Sequence, residues 1–143
     1  MSRRTIAIAA ALSVLALGSP LVIANANPLA DNLFNSGVDK YYQGDYQGAI
    51  TDYDKAIEID PQFKDVYYWR ASAKTELGDH QGAIADWTKV IEIYPQSGLD
   101  GLSYRNRGVD KAWIEDHEGA CVDWKEAASL GDEDAAGWVK KFC

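Results

Sequence analysis

Apolar, small and polar positions repeat along this chain with a spacing of 34 residues. The stretch Tyr42–Pro61 reappears as Glu76–Pro95, with Gly-Asp, Gly-Ala-Ile and a closing proline at the same places. A more degenerate third copy runs from Tyr104 to Ala127. A fixed period of this length predicts stacked units of secondary structure that bury one continuous core.

Each copy has small residues where two helices must approach closely, and an aromatic residue that fills the space between units. Pro61 and Pro95 end the second helix of the first two units, because proline cannot continue a helix. The small positions, of which Val90 is the largest, are Gly37, Ala49, Ala56, Ala71, Ala83, Val90, Gly108, Ala120 and Ala127, and the aromatic positions are Tyr53, Trp87 and Trp124.

The pattern predicts three antiparallel helix pairs, at about 30–43 with 46–59, 64–77 with 80–93, and 101–114 with 117–130. Around residues 96–100 the period lengthens by three residues, which should shift the third unit slightly. A last helix over 132–143 begins with acids and ends with bases, which complements the helix dipole. We expect its apolar stripe to cap the third unit; the stripe consists of Ala135, Trp138, Val139 and Phe142.

A period of 34 residues with this pattern resembles the tetratricopeptide repeat (TPR). The resemblance implies an all-α, right-handed α-solenoid of three helix hairpins plus a C-terminal capping helix, with units at about 30–63, 64–97 and 101–131 and the cap at 132–143. Motifs such as Tyr104–Gly108 and Ala120–Lys125 are similar to those of exported TPR proteins that are abundant in cyanobacteria. Such a solenoid offers a concave surface to a partner and seldom carries out chemistry.

Residues 1–26 have the features of a secretory signal peptide. Arg3 and Arg4 precede an uncharged apolar run, Gly18-Ser19-Pro20 breaks that run, and small residues before position 27 suit a signal peptidase. The alternative is an uncleaved membrane anchor, and the export route could be the general or the twin-arginine one. We expect a protein of residues 27–143 in the periplasm or thylakoid lumen, without membrane insertion after cleavage.

Residues 27–143 have a formal net charge of −10, because the whole chain has −8 and its first 26 residues contribute only two arginines. An acidic excess of this size argues against binding nucleic acid or anionic membranes.

The chain has two cysteines, Cys121 and Cys143, and an oxidising compartment favours their pairing. They lie at similar distances on either side of Gly131, so two antiparallel helices that turn there would bring the sulfurs to one level. Two unpaired thiols remain the alternative.

Catalytic motifs are missing from the sequence, so we expect no enzyme, no cofactor and no metal site. His80 and His117 occupy equivalent repeat positions, one unit apart, which indicates packing rather than metal binding. Arg70 and Arg107 also recur, and they should pair with recurring aspartates on the facing helices.

In the TPR family the first helix of each unit lines the concave groove. The resemblance therefore implies a partner-binding groove of Phe34, Val38, Tyr41, Tyr42, Tyr68, Trp69, Arg105, Asn106 and Trp113. Some of these aromatic residues could instead pack between units. The residues that grip a chaperone's C-terminal carboxylate in some family members are replaced here by Phe34, Val38, Trp69, Leu102 and Asn106.

The sequence thus predicts a monomeric interaction module that binds an extended peptide or a partner helix in its groove. Assembly or maintenance of a membrane complex is the expected use. The alternative is a binder of an apolar small molecule in the same aromatic groove.

Overall fold

The computed structural model describes residues 27–93, 95 and 100–143. These residues form seven α-helices and no strand, which confirms the predicted all-α solenoid. Each helix begins and ends within two residues of its predicted bounds. The predicted signal peptide and most of the loop around 96–100 lie outside the described residues. The helices are α1 (Pro28–Tyr42), α2 (Tyr46–Ile59), α3 (Lys64–Glu76), α4 (His80–Ile93), α5 (Asp100–Trp113), α6 (His117–Ser129) and α7 (Glu133–Phe142).

A short turn joins the two helices of each hairpin. Gly44 and Gly78 have positive φ angles of 80° and 78°, which glycine adopts without steric cost. An aspartate follows and caps the next helix: the Asp45 carboxylate accepts from the Gly48 N–H at 2.9 Å. In the third hairpin Glu115 takes the left-handed conformation instead, with φ 65°.

A buried aspartate on the second helix of each hairpin is held by side chains from the first helix. Asp86 accepts from Arg70 at 2.8 and 2.6 Å and from Lys74 at 2.8 Å. The third hairpin repeats this arrangement with Asp123, Arg107 and Lys111, and the first uses Asp52, Ser36 and Lys40. The predicted pairing of Arg70 and Arg107 with aspartates is therefore confirmed.

Small residues let the aromatic rings pack closely against the facing helix. A Cβ atom on Gly37 would collide with the Tyr53 ring, and one on Gly108 would collide with Trp124. Both rings are buried, and Ala71 packs in one cluster with Trp87. These contacts set the close approach of the two helices in each hairpin.

Helix α7 covers the end of the third hairpin and is joined covalently to α6. Cys121 and Cys143 form a disulfide with their Cα atoms 5.7 Å apart. Ala135 is buried and Trp138 packs edge-on against Trp124, with ring centroids 5.4 Å apart. Phe142, which the sequence places on the capping stripe, stays 60% exposed. None of the helices in the described part of the chain is both long and apolar enough to span a membrane.

Reduction of the Cys121–Cys143 disulfide should destabilise the capping helix first. Closing a loop of this length contributes about 3 kcal/mol, so the reduced protein should melt at a lower temperature. Amide hydrogen exchange should show α7 losing protection before the three hairpins do. Titration of two free thiols in the protein from its native source would contradict the pairing.

Asp52→Asn should lower the free energy of unfolding by about 2 kcal/mol at neutral pH. Burial alone would raise the pKa of Asp52, but hydrogen bonds from Lys40 and Ser36 outweigh it and the pKa is lowered. The ionised carboxylate thus stabilises the fold above its unfolded-state pKa of about 3.9, and this contribution is lost as the pH falls through the folded-state pKa.

The gap between wild type and Asp52→Asn should therefore close in acid. Chemical unfolding at neutral and acidic pH measures it, and exposed Asp39→Asn serves as the control, with an expected change within about 0.5 kcal/mol. A gap that stays constant down to the acid range would contradict this role of the carboxylate.

Candidate partner-binding groove

The first helices of the three hairpins contribute side chains to one continuous surface. Tyr41 from α1, Thr75 and Glu76 from α3, and Asn106 and Val109 from α5 all line a single pocket. The structure thus brings together residues that the repeat register predicted on one face. Whether this surface binds a partner stays a prediction.

The predicted groove aromatics differ in burial. Tyr42 and Trp113 are exposed, at 74% and 68% of their surface, whereas Phe34, Tyr68 and Trp69 are half-buried. Phe34 packs against Phe63, with ring centroids 5.1 Å apart, and against buried Tyr53, so it helps to hold the first unit on the second. Of the predicted groove rings, Tyr42 and Trp113 are therefore the ones most available to a partner, whereas Phe34 packs between units, the alternative that the sequence left open.

Four rings form an aromatic strip across the first two units: Tyr41, Tyr42, Tyr68 and Trp69. Trp69 contacts Tyr41 and Tyr42 edge-on, with centroids 5.2 and 5.7 Å apart, and Tyr68 at 6.3 Å. Edge-to-face contacts of this kind stabilise an arrangement of rings and keep their outer edges available. Burial and the nearby Glu76 carboxylate raise the pKa of Tyr41, so its hydroxyl stays neutral and polar.

An acidic pocket of about 230 Å³ lies between the second and third units. The Asp110 carboxylate is fully buried beside it and accepts from Trp87 Nε1 at 2.8 Å and from Thr75 Oγ1 at 2.9 Å. His80 Nδ1 lies 2.7 Å from the same carboxylate. The pocket is lined by Tyr41, Ser72, Thr75, Glu76, Trp87, Asn106, Val109 and Asp110.

A second pocket, the end pocket, lies between the third hairpin and the capping helix, and its volume is about 460 Å³. Val109 lines both pockets, so the two adjoin along α5. Its walls are mainly apolar and aromatic: Val109, Ala112, Trp113, Glu115, His117, Trp124, Trp138 and Phe142.

The two polar residues predicted for the groove have different surroundings. Asn106 lines the acidic pocket. Arg105 instead pairs with Asp132 and Asp134, each at 3.1 Å, and so connects α5 to the start of α7. The single predicted base on this face is therefore already neutralised by two carboxylates.

Sequence reasoning missed Asp110 and the end pocket. Asp110 stands at the tenth position of its unit, where the second unit has Ala73. The first unit has the exposed acid Asp39 at this position, so the sequence pattern carried no signal that Asp110 would be buried. The end pocket depends on where α7 docks, which no repeat position specifies.

The two histidines have different environments, which agrees with the packing interpretation for His80 and corrects it for His117. His80 stacks on Trp113, with ring centroids 5.3 Å apart and planes 3° apart, and contacts Asp110. His117 is exposed beside the end pocket. No group of three or more His, Cys, Asp or Glu residues in the described ranges is placed to hold a metal ion.

Comparisons with known proteins identify the repeats. Residues 37–78 match a family model described as TPR repeat, and residues 65–97 match one described as tetratricopeptide repeat. A search of curated proteins found no match.

Solved TPR structures share the fold at low sequence identity. The first TPR of Spaghetti (RPAP3) bound to the HSP90 peptide SRMEEVD is 24% identical with a TM-score of 0.72, over 80% of this chain and 90% of that one. The Arabidopsis OM64 TPR domain is 23% identical with a TM-score of 0.72, over 80% and 94%. The N-terminal domain of stress-induced protein-1 from C. elegans is 23% identical with a TM-score of 0.74, over 79% and 93%.

His80→Ala should destabilise the protein more than His117→Ala. The first change removes a stacking partner and a hydrogen-bonding group of a buried carboxylate, which should cost about 1–3 kcal/mol. The second removes an exposed ring and should stay within about 0.5 kcal/mol. Thermal unfolding of the two variants under one condition measures the difference. Equal effects would mean that His80 does not support Asp110.

Proposed function

We propose that this chain is a non-enzymatic protein-interaction module, because it carries tetratricopeptide repeats on the all-α TPR fold. It holds an extended peptide or a partner helix along the groove formed by α1, α3 and α5. Solenoids of this kind use their concave surface for binding rather than for chemistry.

The exposure of Tyr42 and Trp113 carries the proposal. Both are large rings with most of their surface open to solvent, and both lie at the ends of first helices. Tyr and Trp dominate binding hot spots because each buries much area on association and keeps one polar atom for hydrogen bonding. The aromatic strip and the acidic pocket extend the surface between them.

Two structural neighbours support peptide binding as a use of this fold. The first TPR of Spaghetti was solved with the HSP90 peptide SRMEEVD, and the second TPR of human RPAP3 with the HSP70 peptide SGPTIEEVD. The present chain has Phe34, Val38 and Trp69 at positions where the clamp of chaperone-binding members has basic and amide residues. We therefore propose a peptide partner of a different chemistry.

We also propose that the protein acts as a monomer after export, in the periplasm or the thylakoid lumen. The apolar N-terminal run behind two arginines supports export, and the Cys121–Cys143 disulfide suits an oxidising compartment. Assembly or maintenance of a membrane complex in that compartment is the use we propose for the module.

The second candidate function is the binding of an apolar small molecule in the same groove. The end pocket favours it, because its volume of about 460 Å³ lies within the usual range for small-molecule sites. Its aromatic walls could enclose a flat apolar ligand. A ligand in the end pocket would bind without any contribution from Tyr42, which lies on α1.

The double variant Tyr42→Ala/Trp113→Ala should keep its melting temperature nearly unchanged and lose capture of the partner. Exposed rings contribute little to folding, whereas hot-spot rings contribute about 2 kcal/mol or more to binding. Crosslinking pull-down from the native envelope, with the exported protein as bait, measures capture. Val122→Ala, an exposed apolar residue on α6 that lines neither pocket, is the matched control.

Capture that persists in the double variant would contradict the groove as the binding site. Trp69→Ala should behave differently from the double variant and lower both stability and capture, because Trp69 packs on three neighbouring rings. Loss of capture with Trp113→Ala alone, together with the appearance of a bound small molecule in the purified protein, would favour the second candidate.

A further inference from the structure

We infer that the segment bound in this groove carries a positively charged side chain, a lysine or an arginine, whose cation enters the acidic pocket against Glu76 and above Asp110. The inference rests on the proposed function and specifies the chemistry of the occupant.

The polar side chains that line the acidic pocket carry oxygen atoms that can face a cation, apart from the Trp87 indole, whose N–H already donates to Asp110. Glu76 and Asp110 contribute carboxylates, and the side chains of Tyr41, Ser72 and Thr75 contribute hydroxyl oxygens. None of the residues lining this pocket is a lysine, an arginine or a histidine. Its volume of about 230 Å³ is below that of typical small-molecule sites and suits one inserted side chain.

Asp110 differs from the other buried aspartates in its partners. Asp52, Asp86 and Asp123 each pair with a lysine or an arginine of the same hairpin. In the described part of the chain, Asp110 pairs only with His80 and otherwise accepts from neutral Thr75 and Trp87 groups. Among the described residues Asp110 thus has no lysine or arginine partner, and it lies in a low-dielectric wall where its attraction for an approaching cation is screened little.

Glu76 is the group that the cation would contact. It is exposed at the last position of α3, while Asp110 lies fully buried behind the pocket wall. The Tyr41 ring also borders the pocket and belongs to the aromatic strip, which suits the stem and charge of a lysine or arginine. The Glu76 carboxylate would thus contact the cation, and the aromatic rings would contact the stem of the same side chain.

The surface around the acidic pocket is negatively charged, like the pocket itself. Asp31 and Asp65 lie in the first turns of the groove helices α1 and α3, and the one base predicted for the groove, Arg105, is neutralised by two aspartates of the capping segment. A field of one sign along a groove attracts oppositely charged segments and repels like-charged ones. The acidic peptides SRMEEVD and SGPTIEEVD of the neighbouring structures should therefore bind poorly here.

The adjoining end pocket predicts a second feature of the occupant. Because Val109 borders both pockets, a segment with its cation in the acidic pocket would place a nearby side chain against Trp113 and Trp138. We therefore expect a large apolar residue close to the lysine or arginine in the bound sequence.

Selection from a displayed library of random decapeptides tests the inference, with the exported, disulfide-bonded protein as target. Wild-type protein should enrich peptides with one lysine or arginine beside a large apolar residue. Glu76→Gln should lose the enrichment in bases and keep that in apolar residues. Glu126→Gln, an exposed acid on α6 that lines neither pocket, is the charge-matched control and should select as wild type does.

Titration of the best selected peptide then measures the effect of each charge. Replacing its lysine or arginine by norleucine, or using Glu76→Gln, should weaken binding about tenfold, and the two changes together should weaken it little further. Rising salt concentration should weaken wild-type binding more than Glu76→Gln binding. The peptide SRMEEVD serves as the acidic probe.

The failures of the inference and of the proposed function are distinguishable. Binders without enrichment in bases, or equal affinities for wild type and Glu76→Gln, would overturn the inference and leave the peptide-binding function standing. Tight binding of SRMEEVD would do the same. Selection that yields no binder dependent on Tyr42 and Trp113 would overturn both.

Discussion

One buried carboxylate in each hairpin, at Asp52, Asp86 and Asp123, sets the geometry on which the groove depends. An ionised aspartate is costly to bury unless cationic donors surround it, so each helix pair can close only in the register that brings the basic side chains into place. Burial would lower the pKa of Arg70 and of Arg107, but the hydrogen bonds that they donate to Asp86 and Asp123 outweigh it and raise both pKa values, which keeps both pairs charged. The orientation of α1, α3 and α5 follows from these pairs.

Because these ion pairs stabilise each hairpin internally, the residues that pack between neighbouring hairpins can differ from one joint to the next. At the joint between the first two units, Ala73 packs against Tyr53, whose buried hydroxyl has no hydrogen-bond partner among the described residues. At the next joint Asp110 takes the equivalent position and accepts from the indole of Trp87. The same repeat position thus fills the core at one joint and introduces a charge beside the groove at the other.

The sequence was sufficient to predict the helices because their limits are local. Proline, Gly-Asp turns and capping aspartates act within a few residues, so they can be located without knowing the fold. Counting residues on either side of Gly131 was likewise enough to align Cys121 with Cys143. The burial of the groove side chains was harder to predict from the sequence. A repeat position specifies the face of a helix but not the neighbouring residue that a ring contacts. Trp69 is on the predicted face, yet its contacts with Tyr41 and Tyr42 arise only when two units stack.

The disulfide has a mechanical consequence for this solenoid. Tension applied at Cys143 passes through the sulfur atoms to Cys121, in the first half of α6, and so bypasses α7 and the rest of α6. The segment between the cysteines is shielded from stretching as long as the bond is intact. Under a pull between the ends of residues 27–143, extension would begin in the hairpins on the N-terminal side, where stacking of side chains and ion pairs alone resists separation. The capped end would unfold last, and with it the end pocket that α7 completes.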